Sequence, residues 1–128
     1  PKAIKATIKL GRLFLKEHQK YKRLIAIFQP HRFSSVNEFF TEFANELALA
    51  DEIIITNIYG AGEKNINNIS SSLISTEIFK LNKNVKTVKD NDEIRKNFNH
   101  LTRKNDLIIN MGAGDCHNLW QILTNQKY

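Results

Sequence analysis

The sequence predicts a Rossmann-like α/β domain of three layers, in which helices cover both faces of a mainly parallel sheet. Four short expected strands alternate with segments whose apolar residues recur at helical spacing. Three of the strands contain continuous apolar runs, at residues 24–27, 53–55 and 107–109, which are typical of strands buried on both faces of a parallel sheet, whereas the strand at residues 85–88 is short and weak. The chain has 128 residues, 41% of them hydrophobic, which fits one domain. The alternation of strands and helices predicts right-handed crossovers between parallel strands.

The first three elements are a helix, a strand and a second helix. The first helix is expected at residues 2–17 and the first strand at residues 23–28. The second helix is expected at residues 35–50, where Ser35 and Glu38 have the spacing of a capping box. The predicted inward face of the first helix contains Ile4, Ile8, Gly11 and Leu15, widened by Leu10, Leu13 and Phe14.

The same alternation continues to the end of the chain. Further strands are expected at residues 51–58, 85–88 and 107–109, and further helices at residues 70–81 and 90–101. The third helix is predicted to bury Leu73, Ile74, Ile78 and Leu81. After a glycine turn, Asp115 is predicted to cap a last helix that buries Leu119, Trp120, Ile122 and Leu123.

The loops that follow the strands predict the strand order. Unusual polar groups and glycines follow the first, second and fourth strands, whereas the third leads into residues 89–92, an ordinary helix start. Parallel strands place their carboxyl ends at one edge of the sheet, so the loops of neighbouring strands meet there. The pattern is explained if the third strand lies at the side, in the order 3-2-1-4. A ligand crevice is then expected between the first and fourth strands, where the winding reverses.

Composition excludes several classes of protein. No apolar run approaches the roughly 20 residues of a membrane-spanning helix, and the N-terminus has no apolar signal region. Cys116 is the only cysteine, so an internal disulfide is impossible and a reducing compartment is the simplest setting. We therefore expect a cytoplasmic protein without a membrane partner.

The net charge of +6 arises from the first helix. Residues 1–23 contain eight basic residues against one acidic residue, a net +7, while the remaining 105 residues have a net charge of −1. One helical face contains Lys2, Lys5, Lys9, Arg12 and Lys16. Because no aromatic residues are interleaved, the stripe favours a solvated helix face over a nucleic-acid interface. A basic module that binds nucleic acid or protein is the alternative function.

Two side chains that suit an anion follow the first strand. His31 and Arg32 offer an imidazole beside a guanidinium, whose fork matches a carboxylate or a phosphate. A structural histidine and a surface ion-pair partner are the alternative interpretations of the same two residues. The loop after the second strand adds Tyr59, Gly60, Gly62 and Glu63 to the predicted crevice, and the loop after the fourth adds Gly112, Gly114 and Asp115.

No catalytic residue and no metal ligand is predicted. The sequence has no Gly-x-x-x-x-Gly-Lys-Ser/Thr phosphate loop and no Cys or His cluster at metal-ligand spacing. Cys116 and His117 are adjacent, but neighbours on a helix point about 100° apart, which favours an inert thiol. The chain is therefore expected to bind a ligand without performing chemistry alone.

Three segments show a resemblance to a known family. They are residues 28–34, Phe-Gln-Pro-His-Arg-Phe-Ser, residues 59–63, Tyr-Gly-Ala-Gly-Glu, and residues 112–115, Gly-Ala-Gly-Asp. In this order and spacing they resemble the C-terminal domain of the Mur ligases, and among them the branch that adds L-alanine. Residues 1–7 are similar to the segment after that family's Asp-Asp-Tyr-Ala-His-His-Pro sequence, so the resemblance covers essentially the whole chain.

The resemblance implies that residues 1–128 are the C-terminal domain of a longer, three-domain, ATP-dependent ligase of peptidoglycan synthesis. That enzyme joins L-alanine to UDP-N-acetylmuramate through an acyl phosphate. ATP and magnesium would be bound mainly by the central domain, so no cofactor is expected in this fragment, which should be inactive alone. The implied partners are the N-terminal and central domains of the same polypeptide, UDP-N-acetylmuramate, L-alanine and ATP, but no nucleic acid and no membrane.

By the same resemblance, His31 and Arg32 face the L-alanine carboxylate or the transferring phosphate. The family usually has a second arginine three residues after the first, where this chain has Ser35. Another Mur-family ligase, such as one that recycles muropeptides, is the alternative within the family.

Overall fold

The computed structural model describes residues 2–112 and follows the predicted alternation of helices and strands. The elements are α1 (Lys2–Glu17), β1 (Arg23–Gln29), α2 (Phe33–Leu47), β2 (Glu52–Ile55), α3 (Ser72–Phe79), β3 (Val85–Thr87), α4 (Asn91–Lys96), α5 (Phe98–Leu101) and β4 (Asp106–Gly112). All strand pairs are parallel, and the sheet order is β3-β2-β1-β4. This confirms the predicted fold class and strand order. The predicted last helix lies outside the described residues.

The hydrophobic core lies on both faces of the sheet. On one face, β1 residues Leu24, Ala26 and Phe28 pack in a cluster with apolar residues of α1, α2 and α3. On the other face, Ile25 and Ile27 pack with the residues of α4 and α5. Because β1 is central and its apolar side chains are buried on both faces, its run of apolar residues is continuous.

A cluster of charged residues closes the amino edge of the sheet. Arg23, the first residue of β1, donates two hydrogen bonds to the Asp106 carboxylate, at 3.0 and 2.9 Å, and one to Glu52, at 3.3 Å. The paired arrangement with Asp106 raises the pKa of Arg23 above its ordinary value despite some burial. These ion pairs tie β1 to both neighbours, so the charges at this edge are mutually satisfied.

Helix α2 begins before the predicted start, and the predicted capping box is wrong. Ser35 and Glu38 lie inside the helix, which begins at Phe33, and Arg32 precedes it without a side-chain capping bond. The helix is also kinked at Phe39, where φ is −118° and ψ is 15°. The spacing that suggested a local cap therefore has no capping role, and the first amides of α2 need another partner.

The inward face of α1 is narrower than predicted. Leu10, Leu13 and Phe14 were expected to face the core, but their exposed fractions are 67%, 51% and 38%. The cause is the close approach of the helix to the sheet at Gly11, where an added Cβ would lie 2.5 Å from Ile109 Cδ1. A helix held that closely contacts the sheet through one narrow arc. Leu81 is likewise exposed, because α3 ends at Phe79.

Other element boundaries differ in smaller ways. The predicted helix over residues 90–101 is divided into α4 and α5 at Asn97, whose φ of −111° interrupts the helix. The predicted start is confirmed, because the Asp90 carboxylate accepts a hydrogen bond from Glu93 N at 2.9 Å. Strand β2 is shorter than predicted and β4 is longer. Among the described residues, no helix is both long and apolar enough to cross a bilayer.

Candidate functional site

The loops after β1 and β2 are bonded to each other at the carboxyl edge of the sheet. His31 and Tyr59 form an isolated parallel bridge beyond the two strands. Arg32 N donates to Tyr59 O at 2.7 Å, and Tyr59 N donates to Pro30 O at 2.8 Å. The rings of His31 and Tyr59 stack with centroids 5.7 Å apart and planes 11° from parallel. Two of the three predicted loops therefore form one surface.

Arg32 combines a strained backbone with an unpaired side chain. Its φ is 69° and its ψ 135°, a conformation that residues with a side chain rarely adopt. Its guanidinium makes no hydrogen bond or ion pair with any residue of the described range. The guanidinium groups of Arg12, Arg23 and Arg95, by contrast, each bond a carboxylate. Arg32 is thus exposed and available to an anionic ligand.

Glu63 supplies the cap that α2 lacks. Ser34 N donates to Glu63 Oε1 at 2.9 Å, and Ser34 Oγ donates to Glu63 Oε2 at 2.6 Å. These two hydrogen bonds lower the pKa of Glu63 below its ordinary value and keep the carboxylate ionised. The sequence predicted Glu63 at the crevice but not this contact, because its partner lies 29 residues away.

The turn between Tyr59 and Glu63 is shaped by its small residues. Glu63 N donates to Gly60 O at 3.0 Å, and both Ala61 and Gly62 have positive φ, at 53° and 86°. Gly60 lies against the Phe33 ring, and an added Cβ would be 2.7 Å from Phe33 Cε2. Gly60 is therefore needed for the close approach of the turn to the start of α2, whereas Gly62 is needed for its φ.

The third predicted loop begins beside the first. Gly112 is the register partner of Gln29, so the chain leaves β4 next to the loop that holds His31 and Arg32. Gln29 is buried, and its amide donates to Asn57 Oδ1 at 3.4 Å. Gln29, Asn57 and Ser34 are not among the residues predicted for the site, although Gln29 and Ser34 follow the predicted first strand and Asn57 lies near the end of the predicted second strand. The other residues predicted for this loop, Gly114 and Asp115, lie outside the described residues.

Ser35 lies in the first turn of α2, one helical turn beyond Arg32, and is partly buried. The position of the expected second arginine therefore lies in the helical turn that follows Arg32. Within residues 2–112, no three His, Cys, Asp or Glu side chains lie close enough together to bind a metal ion. The described part of the site offers cationic and aromatic groups to a ligand.

The basic stripe of α1 is not wholly free for a partner. Arg12 donates to Leu49 O at 3.1 and 2.6 Å and to both carboxylate oxygens of Asp51 at 3.0 Å. It therefore joins α1 to the loop after α2, while Lys5, Lys9 and Lys16 remain exposed. This division favours a structural role for the centre of the stripe over a continuous phosphate-binding surface.

The fold and the site together define a class of protein. The domain is a parallel α/β domain that presents a cationic loop at the carboxyl edge, beside the strand pair where the winding reverses. Residues 1–114 match the family described as Mur ligase, glutamate ligase domain. The chain belongs to this family.

Curated relatives narrow the comparison. The chain is 60% identical to the UDP-N-acetylmuramate–L-alanine ligase of Prochlorococcus marinus subsp. pastoris, in an alignment that covers 99% of the chain and 28% of the relative. It is 36% identical to the ligase of the same name from Sulfurihydrogenibium sp., over 89% of the chain and 24% of the relative. For the Clostridium kluyveri ligase the identity is 33%, over 98% and 26%. The chain thus spans about a quarter of the length of these relatives.

Proposed function

We propose that residues 1–128 are the C-terminal domain of a three-domain, ATP-dependent ligase that joins L-alanine to UDP-N-acetylmuramate. The unpaired guanidinium of Arg32, held on a strained backbone at the carboxyl edge, is the observation that carries this proposal. The names of the relatives support the substrate assignment. The ordered resemblance of the three loop segments belongs to the same sequence similarity and locates it at the predicted site.

In this function the chain binds and orients the amino acid. The Arg32 fork pairs with the carboxylate of L-alanine or with an oxygen of the transferring phosphate. The ring of His31, stacked on Tyr59, lies at the adjacent position, where it can hydrogen-bond the same anion. Holding the amino acid in one orientation lets its amine approach the activated muramoyl carboxylate, a proximity effect.

The nucleotide and metal belong to the rest of the enzyme in this proposal. The sequence has no phosphate loop, and the described residues offer no cluster of metal ligands. When bound, ATP supplies the phosphoryl group that activates the muramoyl carboxylate. This chain contributes Arg32, which pairs with the carboxylate of the amino acid or with the transferring phosphate.

A chimeric enzyme tests the proposed function. In the Prochlorococcus marinus subsp. pastoris ligase, this chain replaces the segment with which it aligns. We expect ATP-dependent joining of L-alanine to UDP-N-acetylmuramate, with the unmodified ligase as the positive control. A folded chimera that fails to form this product contradicts the proposal. A chimera that joins a peptide instead of L-alanine to UDP-N-acetylmuramate would favour the ligase that recycles muropeptides.

Replacement of Arg32 tests the residue that carries the proposal. In the chimera, Arg32→Ala should lower kcat/KM about 10- to 150-fold, the equivalent of about 1.5–3 kcal/mol for a charge-assisted hydrogen bond. Arg32→Lys keeps the charge but loses the fork, and should recover only part of the activity. A rise in the KM of L-alanine assigns Arg32 to the carboxylate, and a rise in the KM of ATP assigns it to the phosphate.

Arg103 provides the matched control for Arg32. It is exposed and precedes β4 at the amino edge of the sheet. Arg103→Ala removes the same charge from the opposite edge and should leave kcat/KM unchanged. Equal kinetics of Arg32→Ala and the unmodified chimera would remove Arg32 from the site.

A further inference from the structure

The start of α2 and the loop after β2 are joined by one carboxylate. Both oxygens of Glu63 accept hydrogen bonds from Ser34, one from the backbone amide and one from the hydroxyl. Arg32, at the N-cap position, makes no side-chain capping bond. Glu63 thus takes the place of the missing local cap and anchors the first turn of the helix.

Arg32 lies between two fixed points. Its own N–H donates to Tyr59 O on one side, and two residues later Ser34 is held by Glu63. Both anchors belong to the same loop after β2, so the backbone at Arg32 is held from both sides by one segment. Such restraint from both sides is what a positive φ at a residue with a side chain requires.

We propose that Glu63 is a positioning residue, which holds the Arg32 backbone in the conformation that presents its guanidinium to the ligand. This inference rests on the proposed function of Arg32 as an anion-binding residue. Glu63 acts through Ser34 and the first turn of α2, without contacting the substrate. The alternative is that Glu63 itself binds an ammonium group of the substrate, because each of its oxygens can accept a second hydrogen bond beside the one from Ser34.

Three substitutions in the chimeric enzyme separate these roles. Glu63→Ala removes both hydrogen bonds. It should raise about tenfold or more the KM of L-alanine or of ATP, whichever of the two Arg32→Ala also raises. Glu63→Gln retains an oxygen acceptor for Ser34 N and an amide that can bond Ser34 Oγ, so it should restore most of the affinity. Glu38→Ala removes an exposed carboxylate from α2, the helix that Glu63 caps, and should leave the KM values of L-alanine and ATP unchanged.

The KM effect distinguishes positioning from simple stabilisation. A cap that only stabilises the fold would lower the midpoint of thermal unfolding and the amount of active enzyme, and therefore kcat, without changing KM. A rise in KM, restored by Glu63→Gln, supports positioning. If Glu63→Gln were as impaired as Glu63→Ala, the charge itself would contact the ligand and the inference would be wrong.

Amide hydrogen exchange gives a test that does not depend on activity. In Glu63→Ala, the Arg32 amide should exchange faster because its bond to Tyr59 O opens more often, whereas Glu63→Gln should retain protection. Unchanged exchange at Arg32 in a folded Glu63→Ala chimera would overturn the inference. If the unmodified chimera has no ligase activity but Glu63→Ala still speeds exchange at the Arg32 amide, the positioning geometry is supported and the proposed function is refuted.

Discussion

The conformation of Arg32 costs a residue with a side chain about 1–3 kcal/mol, and its guanidinium bonds nothing within residues 2–112 to offset that cost. Four residues other than glycine have positive φ in the described range, and two of them, Asn68 and Asn105, are of the type that tolerates it. The other two, Arg32 and Ala61, both lie at the candidate site. At the scale of single residues, strain is therefore concentrated where a ligand is expected.

The two glycines of the turn provide a residue-scale prediction. Gly60→Ala should lower stability by about 1–3 kcal/mol, because its Cβ forces the Phe33 ring to move. Gly62→Ala should cost about 1 kcal/mol, since nothing lies within 4 Å of its added Cβ and only the positive φ of 86° opposes it. Urea unfolding measures both values. In the chimera, Gly60→Ala should also raise the KM of the substrate that Arg32 binds, L-alanine or ATP, more than Gly62→Ala does. The reverse order of KM values would contradict this account of the turn.

At the scale of elements, the sequence predicted the positions of the strands better than it predicted which side chains are exposed or which distant segments are in contact. Continuous apolar runs located β1 and β2, because a central parallel strand must be buried on both faces. The outward position of Leu10 could not be predicted, since the close approach at Gly11 depends on the β4 residue Ile109. Likewise, His31 and Arg32 were found from their adjacency after a strand, but the cap from Glu63 was not, because it is a contact between distant segments.

The bond between α1 and the loop after α2 leads to a prediction of pH dependence. Partial burial disfavours the Asp51 carboxylate, but hydrogen bonds from Arg12 and from Leu24 N outweigh it, so the pKa of Asp51 is lowered. A group whose pKa is lower in the folded state stabilises the protein above its unfolded pKa, about 3.9 for aspartate. This stabilisation is lost as the pH falls through the folded pKa.

Asp51→Asn should therefore lower the free energy of unfolding at pH 7 by roughly 1 kcal/mol, a value discounted for the solvent exposure of the pair. The difference from the unmodified chain should shrink as the pH falls below about 4. Glu46→Gln is the opposite control. Burial raises the pKa of Glu46, so this substitution should stabilise the chain at pH 7 and lose its effect in acid. Urea unfolding at pH 7, 5 and 3 tests both, and differences independent of pH would contradict these assignments.

At the scale of the whole molecule, the strand order separates structural charges from available ones. At the amino edge, Arg23 is committed to Asp106 and Glu52, which hold three strands together. At the carboxyl edge, the Arg32 guanidinium makes no hydrogen bond or ion pair among the described residues, and the Glu63 carboxylate, which bonds Ser34, attracts it only at longer range. The same fold thus places a satisfied ion-pair cluster at one end of β1 and, at the other, a guanidinium that has no hydrogen-bond partner among the described residues.

The lack of a phosphate loop in this sequence predicts that the 128-residue chain alone is catalytically inactive. We expect no ligated product and no ADP release from the isolated chain with ATP, magnesium, L-alanine and UDP-N-acetylmuramate, and little or no ATP binding. Orientation of two reactants can contribute about 7–11 kcal/mol, but only when one assembled site holds both of them.

The measurement compares equal concentrations of the isolated chain and the chimera, by ADP release and by detection of the ligated product. Far-UV circular dichroism and a cooperative thermal transition must first show that the isolated chain is folded, so that inactivity has one cause. Arg32→Ala in the isolated chain should then change no activity, because there is none to lose, while the same substitution weakens the chimera. Product formed by the isolated chain would show that its own residues activate the carboxylate, and would place the phosphoryl-transfer groups within this domain.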